Sequence, residues 1–354
     1  MNIRQRELAS IDQSNEEYII GTLQNTNFKI DELENIDENS KLVSEIIESG
    51  LTGVIFKINK DGVYNLKRKR KTSKVKNIDG QLSFLNELIC RSKIIENQWK
   101  FASFQNNIVK TIYANYRKGI LLSEWIDGNH PKALDIDWIQ DTINIALDLQ
   151  KIGLFEWDLS RGNILVKDKK VKLFDFGYCY QFDPLVAYNS EGLNEPRFHA
   201  LERLETRYLI LALYRYEKEN GKNKTLNLFK EIKRAGIISY VDHHAYLESQ
   251  GANKQVLVHF QNIIEEWRDG IADMDALEAL YLKEVLRSHL LDIHDDLSGK
   301  SCTPDTLLRI SHLKELTNQY AWRQIATFVD LTEKEKFLQE LESFHENALM
   351  YQHS

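Results

Sequence analysis

Cysteine is scarce in this chain: three in 354 residues, Cys90, Cys179 and Cys302, all far apart. That spacing excludes a disulfide framework and a zinc-ligand pattern, and makes a reducing compartment the default. Proline is scarce as well, with four residues, so few rigid loops are expected in a helix-rich chain. Long apolar runs are missing. No stretch approaches the roughly 18 apolar residues of a membrane span. Met1-Asn2-Ile3-Arg4-Gln5-Arg6-Glu7 has no apolar core of a secretory signal. Positive charge is in deficit, with a net charge of -7, which argues against whole-surface attraction to nucleic acid or anionic membrane. The expected location is therefore the cytoplasm, with no membrane span and no nucleic-acid partner; signal-less export into another cell is left open.

What is present is an ordinary globular composition on a chain long enough for two domains. Residues 1-40 are polar and acid-rich and read as an N-terminal extension with one or two short helices or partial disorder. From Val43 the pattern turns β-like. Val54 to Ile58 and Gly62 to Lys67 flank the turn Asn59-Lys60-Asp61, and Ile108 to Tyr113 and Gly119 to Ser123 form further strand-like runs. A helix is expected over Leu82 to Ile95. Ile139, Ile143, Ala146 and Leu149 then share one helical face. After about Glu202 nearly everything reads as helix. The expected fold is α+β in two lobes with a cleft between them: a β-rich small lobe (41-126), a helical large lobe (127-245), and a helical C-terminal extension (246-354) completing or flanking it.

The chemistry concentrates in Asp158 and Asn163, four residues apart by intervening count, followed by a short hairpin and Asp175-Phe176-Gly177. A carboxylate such as Asp158 can accept the proton of an attacking hydroxyl. An amide and a second carboxylate, Asn163 and Asp175, can hold Mg²⁺ against nucleotide phosphates, with hard oxygen ligands suited to that ion.

With these elements in this order, the chain resembles atypical, bacterial-type members of the protein-kinase-like superfamily over about Val43 to Arg203, or to the 240s. The resemblance implies ATP and Mg²⁺ as cofactors and a hydroxyl acceptor on a protein or small molecule. Glu48-Ser49-Gly50-Leu51-Thr52-Gly53 resembles the phosphate-covering loop, with Glu48 in place of the first glycine, so Gly50, Thr52 and Gly53 are expected at the phosphates. Lys67 resembles the strand lysine that contacts the α- and β-phosphates, with Lys69, on the same strand face, as the competing choice. Glu87 would pair with that lysine, with Glu96 as substitute. Glu124-Trp125-Ile126 resembles the hinge whose backbone would bind adenine at Glu124 and Ile126. Arg161 would supply charge near the transferred phosphate. Gly162-Asn163-Ile164-Leu165 resembles RIO-like, lipopolysaccharide-kinase-like and aminoglycoside-kinase-like members. Glu156-Trp157 stands where the family has His-Arg, which removes the usual partner of a phosphorylated activation loop. Ala200-Leu201-Glu202-Arg203 resembles the end of the peptide-docking segment and favours a protein acceptor.

Other features carry less. Lys67-Arg68-Lys69-Arg70-Lys71, with Lys74 and Lys76, is either a solvated basic loop, a site for a phosphorylated partner or an import signal. His289, His294, Asp295 and Asp296 read as a helix end before Ser298-Gly299 rather than as a metal cluster. The helices after Asp273 complete the large lobe or bind a protein partner. The expected activity is that of a protein serine/threonine kinase. The rivals are a small-molecule, sugar or lipid kinase on the same fold, an AMP-transferring relative, and a non-catalytic pseudokinase.

Overall fold

The computed structural model describes residues 3-14, 16-48, 50, 52-75, 77-329 and 333-352. The fold is α+β, and the chain divides into two compact units. The first comprises residues 1-131, 148-158 and 162-182, and the second 132-147, 159-161 and 183-354.

In chain order the first unit contains α1 (Ile3–Gln13), β1 (Ile19–Gly21), α2 (Ile30–Glu34), β2 (Val43–Ile47), β3 (Gly53–Asn59), β4 (Val63–Lys69), α3 (Ile78–Glu96), α4 (Ala102–Asn106), β5 (Thr111–Asn115) and β6 (Ile120–Glu124). After α5 (Ile136–Lys151), which runs across the division, come β7 (Leu154–Glu156), β8 (Ile164–Lys167), β9 (Lys170–Leu173) and β10 (Cys179–Gln181). Six strands form one antiparallel sheet in the order β1-β5-β6-β4-β3-β2. Strand alternation splits its side chains between two cores. Leu121 and Ala114 face Leu85 and Leu88 of α3 and Leu8 of α1. Ile120, Leu122 and Leu66 face Phe28, Leu33 and Ile36. Lys67 is next to Leu66 and takes the face opposite to it, the one that α3 covers.

Two short ribbons carry the remaining strands. β8 pairs β9 with Ile164 opposite Leu173 and Lys167 opposite Lys170. Asp168 and Lys169 both have positive φ, 50° and 63°, as a two-residue type I′ turn requires. β7 pairs β10 with Glu156 opposite Cys179.

The described residues before 41 contain the two short helices α1 and α2, as the polar N-terminal segment was expected to, and they also pack into the first unit. Leu33 is fully buried, and β1 pairs β5 with Ile19 opposite Asn115. A three-residue strand is too short to show period-2 alternation, so polar composition hid it.

The second unit is helical: α6 (Ala200–Leu204), α7 (Ile210–Asn220), α8 (Lys222–Ser249), α9 (Lys254–Gly270), α10 (Met274–Gly299), α11 (Pro304–Gln319), α12 (Trp322–Ala326) and α13 (Lys334–Met350). A π-helical turn, Glu205–Leu209, joins α6 to α7. The described residues from 246 on, expected as a helical extension completing or flanking the large lobe, belong to the same compact unit as 183-245. α10 ends at Gly299 on a left-handed Lys300. His289 on it is buried and shares a hydrogen bond of 2.9 Å with the ring of His312. Among the described residues no helix is long and apolar enough to cross a membrane.

Candidate functional site

The site is built within the first unit, from β4, α3 and the segment around the β8–β9 ribbon. Lys67 lies on an interior strand, opposite Ile55 of β3 and Leu121 of β6, and is 6% exposed. Gly53 opens the way for its stem: a Cβ there would lie 3.0 Å from Lys67 Cγ. Gly50 turns so tightly that a Cβ would come within 2.7 Å of the Gly53 carbonyl oxygen. Arg70 secures this loop by donating from Nε to Gly50 O at 2.9 Å, and its own N–H donates to Thr52 O at 3.0 Å. Ser49 and Leu51 of the same loop lie outside the described residues.

Helix α3 starts on Asn77, whose side chain accepts from Gly80 N–H at 2.8 Å, and this start sets the phase that turns Glu87 inward. Lys67 Nζ donates to Glu87 Oε2 at 2.7 Å and to Asp175 Oδ2 at 2.9 Å. Arg91, one turn beyond Glu87, donates from Nε to Glu87 Oε1 at 2.9 Å and from Nη1 to Thr111 Oγ1 at 2.9 Å. Glu87 is thus held from both sides, at 1% exposure. The alternatives fall elsewhere: Lys69 Nζ donates to Tyr116 Oη at 2.9 Å, and Glu96 accepts from Ser92.

The electrostatics follow from this packing. Burial disfavours the Lys67 ammonium, but Asp175 and Glu87 outweigh it and hold its pKa above the ordinary value. Burial also works against the Glu87 carboxylate, yet Lys67 and Arg91 hold it below its usual range. Asp175 goes the other way. Burial, with the charge of Glu87, pushes its carboxyl up despite Lys67 and Arg91. It is also the most open of the three side chains, 38% accessible against 8% for Lys67 and 1% for Glu87.

Asp175 sits at φ 63°, a left-handed conformation rarely adopted by residues other than glycine, asparagine and aspartate. Its neighbours fix it there. Phe176 is fully buried, with the Arg91 guanidinium 5.3 Å from its ring centroid. Asn86 Nδ2 donates to Gly177 O at 3.0 Å and to Cys179 O at 2.7 Å, and the Cys90 thiol donates to the same Cys179 oxygen at 2.9 Å.

Asn163 and Asp175 flank the open end of the β8–β9 ribbon, one residue before β8 and two after β9. Phe174 N–H donates to Asn163 O at 3.2 Å. Asn163 Nδ2 donates to Asp158 O and to Asp158 Oδ2, both at 3.0 Å. Both amide hydrogens are thereby committed to Asp158, which leaves the Asn163 Oδ1 oxygen as the atom suited to a hard cation. Asp158 N–H donates to Glu156 Oε1 at 2.8 Å.

The other expected site residues are placed as follows. Glu124 ends β6; its N–H donates to Lys110 O at 3.1 Å and its Oε1 accepts from Lys110 N–H at 2.9 Å. The Lys57 ammonium lies 4.4 Å from the centre of the Trp125 ring. Ile126 packs beside Gly128, where a Cβ would meet Ile126 Cγ2 at 3.3 Å and Val166 O at 3.1 Å. Arg161 belongs to the second unit, where its charge opposes the raised pKa of Tyr208.

Arg91, Asn86 and Glu156 were not singled out as site residues from the sequence. Arg91 had a signal, its i,i+4 spacing from Glu87. Asn86 had none, because its partners lie 91 and 93 residues away. Glu156 is 4% exposed, and burial pushes its carboxyl well above the usual range. The charges of Asp158 and Asp175 add to this, and the bond from Asp158 N–H opposes it. A carboxyl raised in the folded state adds stability below its unfolded value of about 4.3, and that stability is lost as pH rises toward the folded value. Glu156→Gln keeps an oxygen for Asp158 N–H and has nothing to ionise. It is expected to flatten the pH dependence of urea unfolding above about pH 5 and to add about 1 kcal/mol or more at pH 8. An unaltered pH profile would mean that Glu156 is ionised in the fold.

No known protein family matches this chain, and no characterised protein matches it.

Proposed function

We propose that this chain is an ATP- and Mg²⁺-dependent phosphotransferase with a two-lobed protein-kinase-like fold, acting in the cytoplasm on serine or threonine hydroxyls of proteins. The observation that carries the reading is the position of Lys67 Nζ, 2.7 Å from Glu87 and 2.9 Å from Asp175. Those residues are 20 and 108 positions away from it. In this reading Lys67, held by Glu87, orients the α- and β-phosphates beside Gly50, Thr52 and Gly53. Asp158, steadied by Asn163 and by Glu156, positions the acceptor hydroxyl and takes its proton. The oxygens of Asn163 and Asp175 would hold Mg²⁺, which spreads the negative charge of the phosphates when bound. The backbone from Glu124 to Ile126 receives the adenine.

The test is label transfer from ATP labelled at the γ- or the α-phosphate, with Mg²⁺ and a cell lysate as acceptor. Transfer of the γ-label alone, lost in Asp158→Ala, is the expected result. Transfer of the α-label would replace the reading with nucleotidyl transfer. Failure of Mg·ATP to raise the unfolding temperature of the unmutated protein would leave a non-catalytic scaffold.

A further inference from the structure

Of the basic run after Lys67, only Arg70 takes part in the site described above, as the anchor of the Gly50 loop, and the run lines a cavity next to that site. That cavity, about 400 Å³, opens between the end of β4 and the first turns of α3. Lys69, Arg70 and Lys71 supply its charge, and Thr52, Ser73 and Gln81 supply neutral polar groups. No carboxylate lines it among the described residues. Three cations with hydroxyl and amide donors and no anion form an environment for a phosphate dianion. The volume leaves room for the atoms that carry the phosphate.

The cavity shares its walls with the candidate site. Thr52 precedes Gly53, which packs against the Lys67 stem. Ser83 lines the cavity and also touches Gly177, where a Cβ would lie 3.3 Å from Ser83 Cβ. Two of the cations are held in place: Arg70 by the Gly50 carbonyl, Lys69 by the Tyr116 hydroxyl. Burial, joined by the charge of Arg117, draws the Lys69 ammonium below its ordinary pKa, with Asp12 opposing. A bound anion would offset that penalty.

We propose that this cavity binds a phosphomonoester carried by the acceptor, so that the preferred acceptor is already phosphorylated near the hydroxyl that receives the new phosphate. That the group belongs to an acceptor rests on the phosphotransferase reading; that the cavity holds a phosphate does not.

The experiment has two arms. In the first, inorganic phosphate is titrated calorimetrically into the full chain and into Lys71→Gln, Lys71→Glu, Lys67→Ala and Lys74→Gln. Lys71 is exposed, so its replacements leave the fold intact. Saturable binding is expected, roughly tenfold weaker in Lys71→Gln, the size of one charge-assisted hydrogen bond, and lost in Lys71→Glu. Lys67→Ala and Lys74→Gln should bind like the unmutated protein. No saturable binding, or binding lost in Lys67→Ala but kept in both Lys71 variants, overturns the site. In the second arm the acceptor lysate is treated with phosphatase, which is then removed, before γ-label transfer. Transfer should fall for the unmutated protein, and treatment should make little difference to the low transfer by Lys71→Glu. Transfer indifferent to the treatment overturns the acceptor assignment. Phosphate binding without any label transfer overturns the phosphotransferase reading and that assignment together, while the phosphate site stands.

Discussion

Asp175→Asn, which keeps a residue suited to the left-handed conformation, is expected to lower γ-phosphate transfer by at least about 10³-fold while moving the unfolding temperature by no more than about 2 °C. The two halves of this expectation have one cause. The Asp175 carboxyl is shifted upward, with burial as the largest contribution and Glu87 adding to it. An acid whose folded pKa exceeds its unfolded one binds its proton more tightly in the fold, so its contribution to stability falls as pH rises through that window. At neutral pH the partly accessible Asp175 carboxylate therefore adds little net stability, even with Lys67 at 2.9 Å. Replacing it costs little, and Lys67 keeps Glu87 at 2.7 Å. The same change deletes the carboxylate that would hold the metal. A side chain that adds little to stability, in a left-handed conformation fixed by its neighbours, is what a functional position looks like. Thermal unfolding with and without Mg·ATP, alongside label transfer, checks both halves. A large drop in unfolding temperature would make Asp175 a structural ion-pair partner and remove it from the metal site.

How much of this was legible in the sequence depends on distance along the chain. Asp158, Asn163 and Asp175 lie around one hairpin, so their spacing alone showed that they could meet. Lys67 and Lys69 could not be separated by alternation, because residues two apart on a strand share a face. They differ in what stands opposite: Glu87 of α3 for Lys67, Tyr116 for Lys69. The anchoring of Gly177 and Cys179 by Asn86 was invisible, since an asparagine within an apolar helix gives no hint of a carbonyl 91 residues on. The β-rich character of residues 43-123 was legible from alternation, whereas β1 was not. The π turn at Glu205–Leu209 has no propensity signature either, yet it carries Glu205, one of the buried charges of the second unit.

Those charges carry the largest expected stability effect. Lys233→Met should destabilise the chain by about 3–5 kcal/mol in urea unfolding, the range for a buried ion pair that loses one partner. Lys233 is completely buried, with Nζ 2.6 Å from Glu205 Oε1 and 3.1 Å from Glu284 Oε1, both carboxylates 1% exposed. Arg287 closes the set, 3.0 Å from Glu205 and 2.5 Å from Glu284. Methionine retains most of the stem that packs near Phe229 and Trp267, so little volume is lost. What remains is two buried carboxylates facing one guanidinium. Glu205, which burial already pushes above its usual range, should then be raised further. By the same linkage the variant's deficit should shrink as pH is lowered from 7 toward 5. Adding Glu205→Gln to Lys233→Met removes the surplus charge and should recover about half of the loss or more at pH 7. A double variant no more stable than the single one would mean that lost packing, rather than unpaired charge, is what Lys233 prevents.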